Sequence, residues 1–257
     1  MVLVLTFIAF ASVSLLGESA LGKVQILLGE AFVLIPALLY SRWRRFPLLQ
    51  LFRVRRVGWR VMVASVFIAL AMTIIADEAD RLMNLILPFP ETLARMLSEV
   101  LIARTWLDWL LIVTGAVLLA GMFEEMLFRG FLQNAFEQET DVTVAILLTS
   151  LLFGFIHLNP WWIVQIILLG VILGVMAWKS NSILPGAVVH AINNGISVVM
   201  INTNRDSHGL DMLEWHGHIH PVALTLALAV LVVGMRFFYR FCEEESELPT
   251  FFNLPLR

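Results

Sequence analysis

The chain has 257 residues, of which 60% are hydrophobic and only 14% charged, whereas soluble domains run at about 45–50% apolar and about 25% charged. That balance marks a polytopic membrane protein and leaves no room for a soluble catalytic module. A net charge of −3 is too small to imply a nucleic-acid partner, and one cysteine, Cys242, excludes an internal disulfide framework or a cysteine-rich metal site.

A membrane-spanning helix needs roughly 20 mostly apolar residues, within a range of about 17–25. Eight segments meet or approach this: 2–17, 24–40, 61–76, 106–126, 142–158, 161–178, 183–201 and 221–239. The start, Met1-Val2-Leu3, lacks the basic stretch of a cleaved signal peptide, so the first run reads as a retained helix. The expected fold class is all-α: a polytopic membrane helical bundle of about eight transmembrane helices, forming one integral domain over residues 1–257.

Between the second and third segments lie Ser41-Arg42-Trp43-Arg44-Arg45 and then Arg53, Arg55, Arg56 and Arg60. A short loop this rich in arginine stays cytoplasmic. With eight spans, both the N- and C-termini are then cytoplasmic, in a plasma or inner membrane. Arg129, Lys179, Arg236 and Arg240 fall on or near the same side, while Arg81, Arg95 and Arg104 fall outside among Asp77, Glu78, Asp80, Glu91 and Glu99. Residues 76–105 are too charged to span. Leu82, Leu85, Ile86, Phe89 and Leu93 suggest amphipathic pieces on the membrane surface, broken by Pro88 and Pro90.

The polar residues that demand a chemical account come next. Glu124 and Glu125 close an uncharged apolar run from Trp109 to Phe123. Carboxylates at membrane depth are costly, so such a pair is a functional-site hypothesis by default. Apolar Met126-Leu127-Phe128 can carry this helix on through Phe136. Glu125 and Arg129 stand at i and i+4, so they can pair. Glu124 is rotated by roughly 100° into a different environment, and spacing alone does not decide which glutamate faces a cavity. Phe153-Gly154-Phe155-Ile156-His157 puts a histidine late in the fifth segment, and His190-Ala191-Ile192-Asn193-Asn194 puts His190 and Asn194 on one face. An imidazole and an amide so placed can donate two hydrogen bonds to one small target, as an oxyanion site requires.

Each feature has a plainer reading, a snorkelling helix end for the acids and interhelical polar contacts for the rest. Depth joins them. At a rise of about 1.5 Å per residue, Glu124, His157 and His190 lie about 18, 22 and 11 Å from the cytoplasmic ends of their helices, so all three can meet in a cavity open to the cytoplasm.

Glu124-Glu125-x-x-x-Arg129, Phe153-x-x-x-His157 and His190-x-x-x-Asn194 resemble the three ordered motifs of the CPBP family, the CAAX-protease and bacteriocin-processing group of intramembrane endopeptidases. Gly174-Val175 through Lys179 and then Ser182-Ile183-Leu184-Pro185 lead into the third motif in the family's manner. The resemblance covers residues 119–200, and the catalytic core helices carrying the motifs span 106–201. It implies a glutamate-type peptidase acting on a peptide or membrane-anchored protein substrate in the lipid bilayer. By motif position, Glu124 is the general base and His157 helps to hold and activate water. His190 and Asn194 stabilise the tetrahedral oxyanion, while Glu125 and Arg129 support the base and its helix. Independently, desolvation suits a carboxylate to accept a proton.

Metal-free catalysis is the favoured reading. Zinc held by Glu124, His157 and His190 is the alternative, since two histidines and a carboxylate can hold zinc with water in the fourth position, and the group has also been labelled metal-dependent. His-Glu-x-x-His is absent, and asparagine is a poor zinc ligand. Two other function classes stand beside the peptidase. One is a non-catalytic receptor, immunity or maturation-helper protein of the same fold. The other is a proton-coupled transporter, which would show inverted repeats with broken helices; no internal repeat is visible. The sequence names no cleavage site and no prenyl requirement.

Among the remaining features, Glu30 reads as a polar contact away from the chemistry rather than a cavity residue. His208, His216, His218 and His220, with Asp211 and Glu214, read as a solvated outer loop rather than a metal site. Gly170 to Gly174 is a small-xxx-small pair that lets helices pack closely. Glu243 to Glu247 reads as a solvated acidic tail, and Trp161-Trp162 as an interface anchor.

Overall fold

The computed structural model describes residues 23–203 and 210–247. Nine helices follow in order among these residues: α1 Val24–Trp43, α2 Leu48–Leu51, α3 Trp59–Ile86, α4 Glu91–Leu101, α5 Trp106–Glu139, α6 Val142–Ile156, α7 Ile163–Ser180, α8 Leu184–Thr203 and α9 Pro221–Glu247. A small antiparallel hairpin, β1 Glu214–Trp215 with β2 His218–Ile219, is the one departure from an all-α architecture in the described residues.

The helix boundaries follow local chemistry. Thr105 and Asp108 form a reciprocal capping box at the start of α5, with Asp108 N–H donating to Thr105 Oγ1 at 3.1 Å and Thr105 N–H to Asp108 Oδ2 at 3.0 Å. Asp141 caps α6 by accepting from the Thr143 and Val144 amides. Asn181, at φ 48°, stops α7 in the left-handed conformation that asparagine tolerates.

Among the described residues, six helices are long and apolar enough to cross a membrane: α1, α3, α5, α7, α8 and α9 up to Glu245. The chain is thus a multi-pass membrane protein, with six such helices where eight were expected. The segment 2–17 lies outside the described residues, as does His208. The segment 142–158 forms a shorter apolar helix of 15 residues. The surface segment expected at 76–105 is also different. Its first part continues α3 to Ile86, the break falls at Leu87–Pro90, and α4 follows. Trp161 and Trp162 grip that break: Trp161 Nε1–H donates to the Pro88 carbonyl at 3.0 Å, and the Phe89 ring packs on both indoles.

Helix α3 packs against α9, α8 and α7, burying Ile68, Met72, Leu173, Met176, Val189 and Phe238 together. A second cluster, Leu34, Ala37, Phe52, Leu127, Phe128 and Phe153, joins α1, the 44–58 link, α5 and α6. The link approaches α5 so closely that a Cβ on Gly130 would lie 2.6 Å from the Phe52 carbonyl oxygen. The acidic end of α9 is exposed, and its side chains also form ion pairs there, Glu243 with Lys179 at 2.6 Å and Glu244 with Arg60 at 3.5 Å. Exposed pairs of this kind contribute little stability.

Candidate active site

Helix α5 carries the acidic pair. Over Val113–Glu124 and Met126–Leu132 its backbone adopts wide, π-type i→i+5 turns, a rare arrangement that concentrates at functional sites. Residues four apart share one helix face, so Glu125, Arg129, Gln133 and Glu137 form one polar row on an apolar helix.

Glu125 is fully buried, and Arg129 Nη1–H donates to its Oε1 at 2.7 Å. The other guanidinium arm donates to the Gly170 carbonyl at 3.2 Å, and the guanidinium lies 4.2 Å from the Phe153 ring centroid. One turn on, Gln133 Nε2–H donates to the Gly174 carbonyl at 3.0 Å and to Glu137 Oε1 at 2.9 Å. Arg53 closes the row by pairing with Glu137. Gly170 and Gly174 therefore do more than allow close packing: their carbonyls accept from the row. A Cβ on Gly174 would come within 3.0 Å of Gln133 Oε1.

Glu124 faces elsewhere. Its Oε2 lies 4.0 Å from His157 Nε2 and 3.8 Å from His190 Nε2. Its side chain is 13% exposed, and it lines a cavity of about 40 Å³ with Val33, Phe128, Ile156 and His157, room enough for water. His157 Nδ1 lies 2.6 Å from the Phe153 carbonyl. A carbonyl only accepts, so Nδ1 carries the proton and Nε2 of the neutral ring is an acceptor. His190 Nδ1 lies 3.3 Å from Glu125 Oε1, the same oxygen that receives Arg129. Glu125 thus orients His190, while the Phe153 ring packs edge-on against both imidazoles at 4.9 and 5.7 Å.

The structure therefore brings Glu124, His157 and His190 to one point, with Glu125 and Arg129 directly behind. Asn194 lies one turn beyond His190, and its Nδ2–H donates to the Ala116 carbonyl at 2.9 Å, leaving its second N–H for any further partner. Sequence reasoning did not single out Gln133, Gly186 or the packing role of Phe153. Polar residues recurring every fourth position from 125 to 137 were the available signal. Gly186 had none; a Cβ there would lie 3.0 Å from Glu125 Oε2.

Zinc held at about 2.0–2.1 Å from each tetrahedral ligand sets ligand atoms roughly 3.3 Å apart. The separations of 3.8 and 4.0 Å at Glu124 are wider. Among the described residues no three His, Cys, Asp or Glu side chains are gathered to hold a metal ion, and His216, His218 and His220 are no exception. His218 Nδ1 pairs with Glu78 Oε1 at 2.8 Å.

No curated protein and no solved structure matches the chain. Residues 105–196 match the family model for the Rce1-like type II CAAX prenyl endopeptidase. That span holds the Glu124–Glu125–Arg129 row, His157, His190 and Asn194 together, the residues of all three motifs.

Proposed function

We propose that the protein is an intramembrane endopeptidase that hydrolyses peptide bonds of membrane-associated or hydrophobic substrates with water activated by Glu124. The family to which residues 105–196 match is a peptidase family. The observation that carries the mechanism is the approach of both histidine Nε2 atoms to one Glu124 oxygen on a cavity wall.

Two acceptors 4.0 Å apart suit a single water. With hydrogen bonds of roughly 2.8 Å to each, the angle at the water oxygen is about 90°, near its own H–O–H angle. Such a water donates one proton to Glu124 and one to His157, and its lone pairs face the substrate carbonyl. Glu124 then takes the proton as oxygen attacks carbon. His190, held by Glu125 through Nδ1, stabilises the oxyanion through Nε2 when that atom carries a proton, and the second N–H of Asn194 assists. No metal takes part in this scheme. The arginine-rich 44–58 link fits a cytoplasmic face, with both termini on that side, about eight spans, and the cavity reached from the cytoplasm of a plasma or inner membrane.

The test compares wild type with Glu124→Gln, His157→Ala and His190→Ala by proteomics of membrane-anchored peptides. Cleavage products are expected in wild type and absent from all three variants. Identical peptide profiles in all four strains would sink the peptidase reading.

A further inference from the structure

Residues 42–60 hold seven arginines and no acidic residue. The folded chain neutralises most of its cations, but not these. Among the described residues, nine of the fifteen lysines and arginines form an ion pair with a carboxylate. Five of the other six are Arg42, Arg44, Arg45, Arg55 and Arg56, all exposed. Within the stretch only Arg53, with Glu137, and Arg60, with Glu244, are paired. The acidic end of α9 meets the link at Gly58 and Arg60 and pairs with none of the five.

The place of the stretch decides what it can meet. Helix α1 ends at Trp43 and α3 starts at Trp59, and both are long and apolar enough to cross a membrane. The 44–58 link therefore lies at a membrane surface. Trp43 and Trp59 are 73% and 72% exposed, and indoles at the ends of spans sit at headgroup level. Phe46 and Leu49 are exposed between the arginines. Apolar side chains interleaved with cations suit the boundary between headgroups and acyl chains. The backbone that presents them is held down: Asn134 Nδ2–H donates to the Leu51 carbonyl at 3.3 Å and Ile183 N–H to the Arg53 carbonyl at 3.0 Å. Arg45 sits at φ 58°, in the left-handed conformation that glycine or asparagine adopts at least cost. Its exposed side chain makes no ion pair among the described residues, so a cation at that costly position has a use only toward something outside the chain.

We propose that the arginine-rich stretch 42–58 is a binding surface for anionic phospholipid. The five unpaired guanidinium groups take lipid phosphates, and Trp43, Leu49 and Trp59 rest against the acyl chains. A guanidinium matches a phosphate with paired N–H donors. A cluster of four to eight cations at the end of a spanning helix is the pattern that holds anionic headgroups. An acidic protein segment would answer the charge, but not the exposed indoles and leucine beside the ends of two spans. None of these residues belongs to the catalytic cluster, so the proposal stands apart from the peptidase reading.

The experiment uses the purified full chain in detergent, titrated with phosphatidylglycerol or with phosphatidylcholine of the same acyl chains, and native mass spectrometry reads the lipid bound. Wild type should prefer phosphatidylglycerol by about tenfold or more, and added salt should erode that preference. Each cation near the surface contributes roughly fivefold. Arg44→Gln/Arg45→Gln and Arg55→Gln/Arg56→Gln should therefore each weaken phosphatidylglycerol uptake by about tenfold or more, with phosphatidylcholine uptake and melting temperature unchanged. Arg44→Lys/Arg45→Lys keeps the charge and should keep most of the affinity. Arg95→Gln/Arg104→Gln removes exposed arginines already paired with Glu91 and Glu99 and should bind as wild type does. Equal uptake of the two lipids by wild type would overturn the proposal and leave the surface to an acidic protein segment. A preference that survives both glutamine double variants would overturn it as well. Displacement of the lipid by inorganic phosphate at matched concentration would reassign the surface to a soluble anion. Each of these failures leaves the peptidase reading untouched.

Discussion

Glu125 and Arg129 meet at 2.7 Å with side chains 0% and 1% exposed, and the Glu125 oxygen that receives Arg129 also faces His190 Nδ1. The pair is thus an orienting device as well as an ion pair. Burying two charges costs several kcal/mol per ion, recovered only with good geometry and further hydrogen bonds. The Gly170 carbonyl supplies one such hydrogen bond and the Phe153 ring faces the guanidinium, while Arg129 Nε and Glu125 Oε2 have no hydrogen-bond partner among the described residues.

Removing one partner should therefore cost more than removing both. Arg129→Ala is expected to destabilise the protein by about 3–5 kcal/mol, because Glu125 is left as an uncompensated buried charge. The double variant Glu125→Gln/Arg129→Gln should recover much of that stability while staying inactive, since His190 is no longer held. Arg129→Lys should not substitute, because one ammonium lacks the fork that reaches Glu125 and Gly170 at once. Thermal unfolding in detergent, read beside peptide cleavage, checks this. Equal melting temperatures for the Arg129→Ala and double variants would contradict it.

The two glutamates should separate in their effects. Glu124 lines the cavity and its Oε2 has no hydrogen-bond partner among the described residues, so Glu124→Gln should leave the melting temperature nearly unchanged and cut kcat by about 10²–10⁴-fold. Glu125→Gln should lower both, because it breaks the link to Arg129 and His190. A stable, inactive Glu125→Gln beside a destabilised Glu124→Gln would reverse the roles.

The candidate cluster was legible from sequence because polar and charged groups in an apolar helix are costly, so Glu124, His157 and His190 stood out without any structure. Their mutual depth was only partly legible. Regular α-helical rise set Glu124 about 7 Å deeper than His190 (18 less 11), yet they lie 3.8 Å apart. Wide turns in α5 pack more residues into each unit of length, and no residue pattern announced them. The length of α3 was hidden for another reason. Asp77, Glu78 and Arg81 look like the residues of a solvated surface. In the fold, Arg81 bonds Asp77 at 2.8 Å, Asp211 at 3.1 Å and Glu214 at 3.0 Å, and Glu78 bonds His218 at 2.8 Å. Partners some 130 residues away cannot be read from local spacing.

Gly130 provides a test of the packing behind the site. Its missing Cβ would lie 2.6 Å from the Phe52 carbonyl oxygen and 2.7 Å from Phe52 Cα. Both are backbone atoms and cannot swing aside. Gly130→Ala should push the 44–58 link off α5 and cost about 1–3 kcal/mol, as overpacking does. Gly195→Ala, whose Cβ would meet only Val117 at 3.6 Å, should be near neutral or slightly stabilising through its helix propensity. Comparing the two melting temperatures checks the model of the interface; a Gly130→Ala variant as stable as Gly195→Ala would show that the link is not seated there.

Chelation tests the proposed metal-free mechanism. The Glu124 to histidine separations exceed those expected around tetrahedral zinc. Water held between Glu124 and His157 needs no Lewis acid if the carboxylate accepts its proton. Prolonged incubation with 1,10-phenanthroline followed by its removal should leave peptide cleavage unchanged, and elemental analysis of active protein should find less than stoichiometric zinc. Lasting inactivation reversed by adding zinc alone would overturn the metal-free assignment, and would place Glu124 among the metal's ligands instead of the base acting on free water.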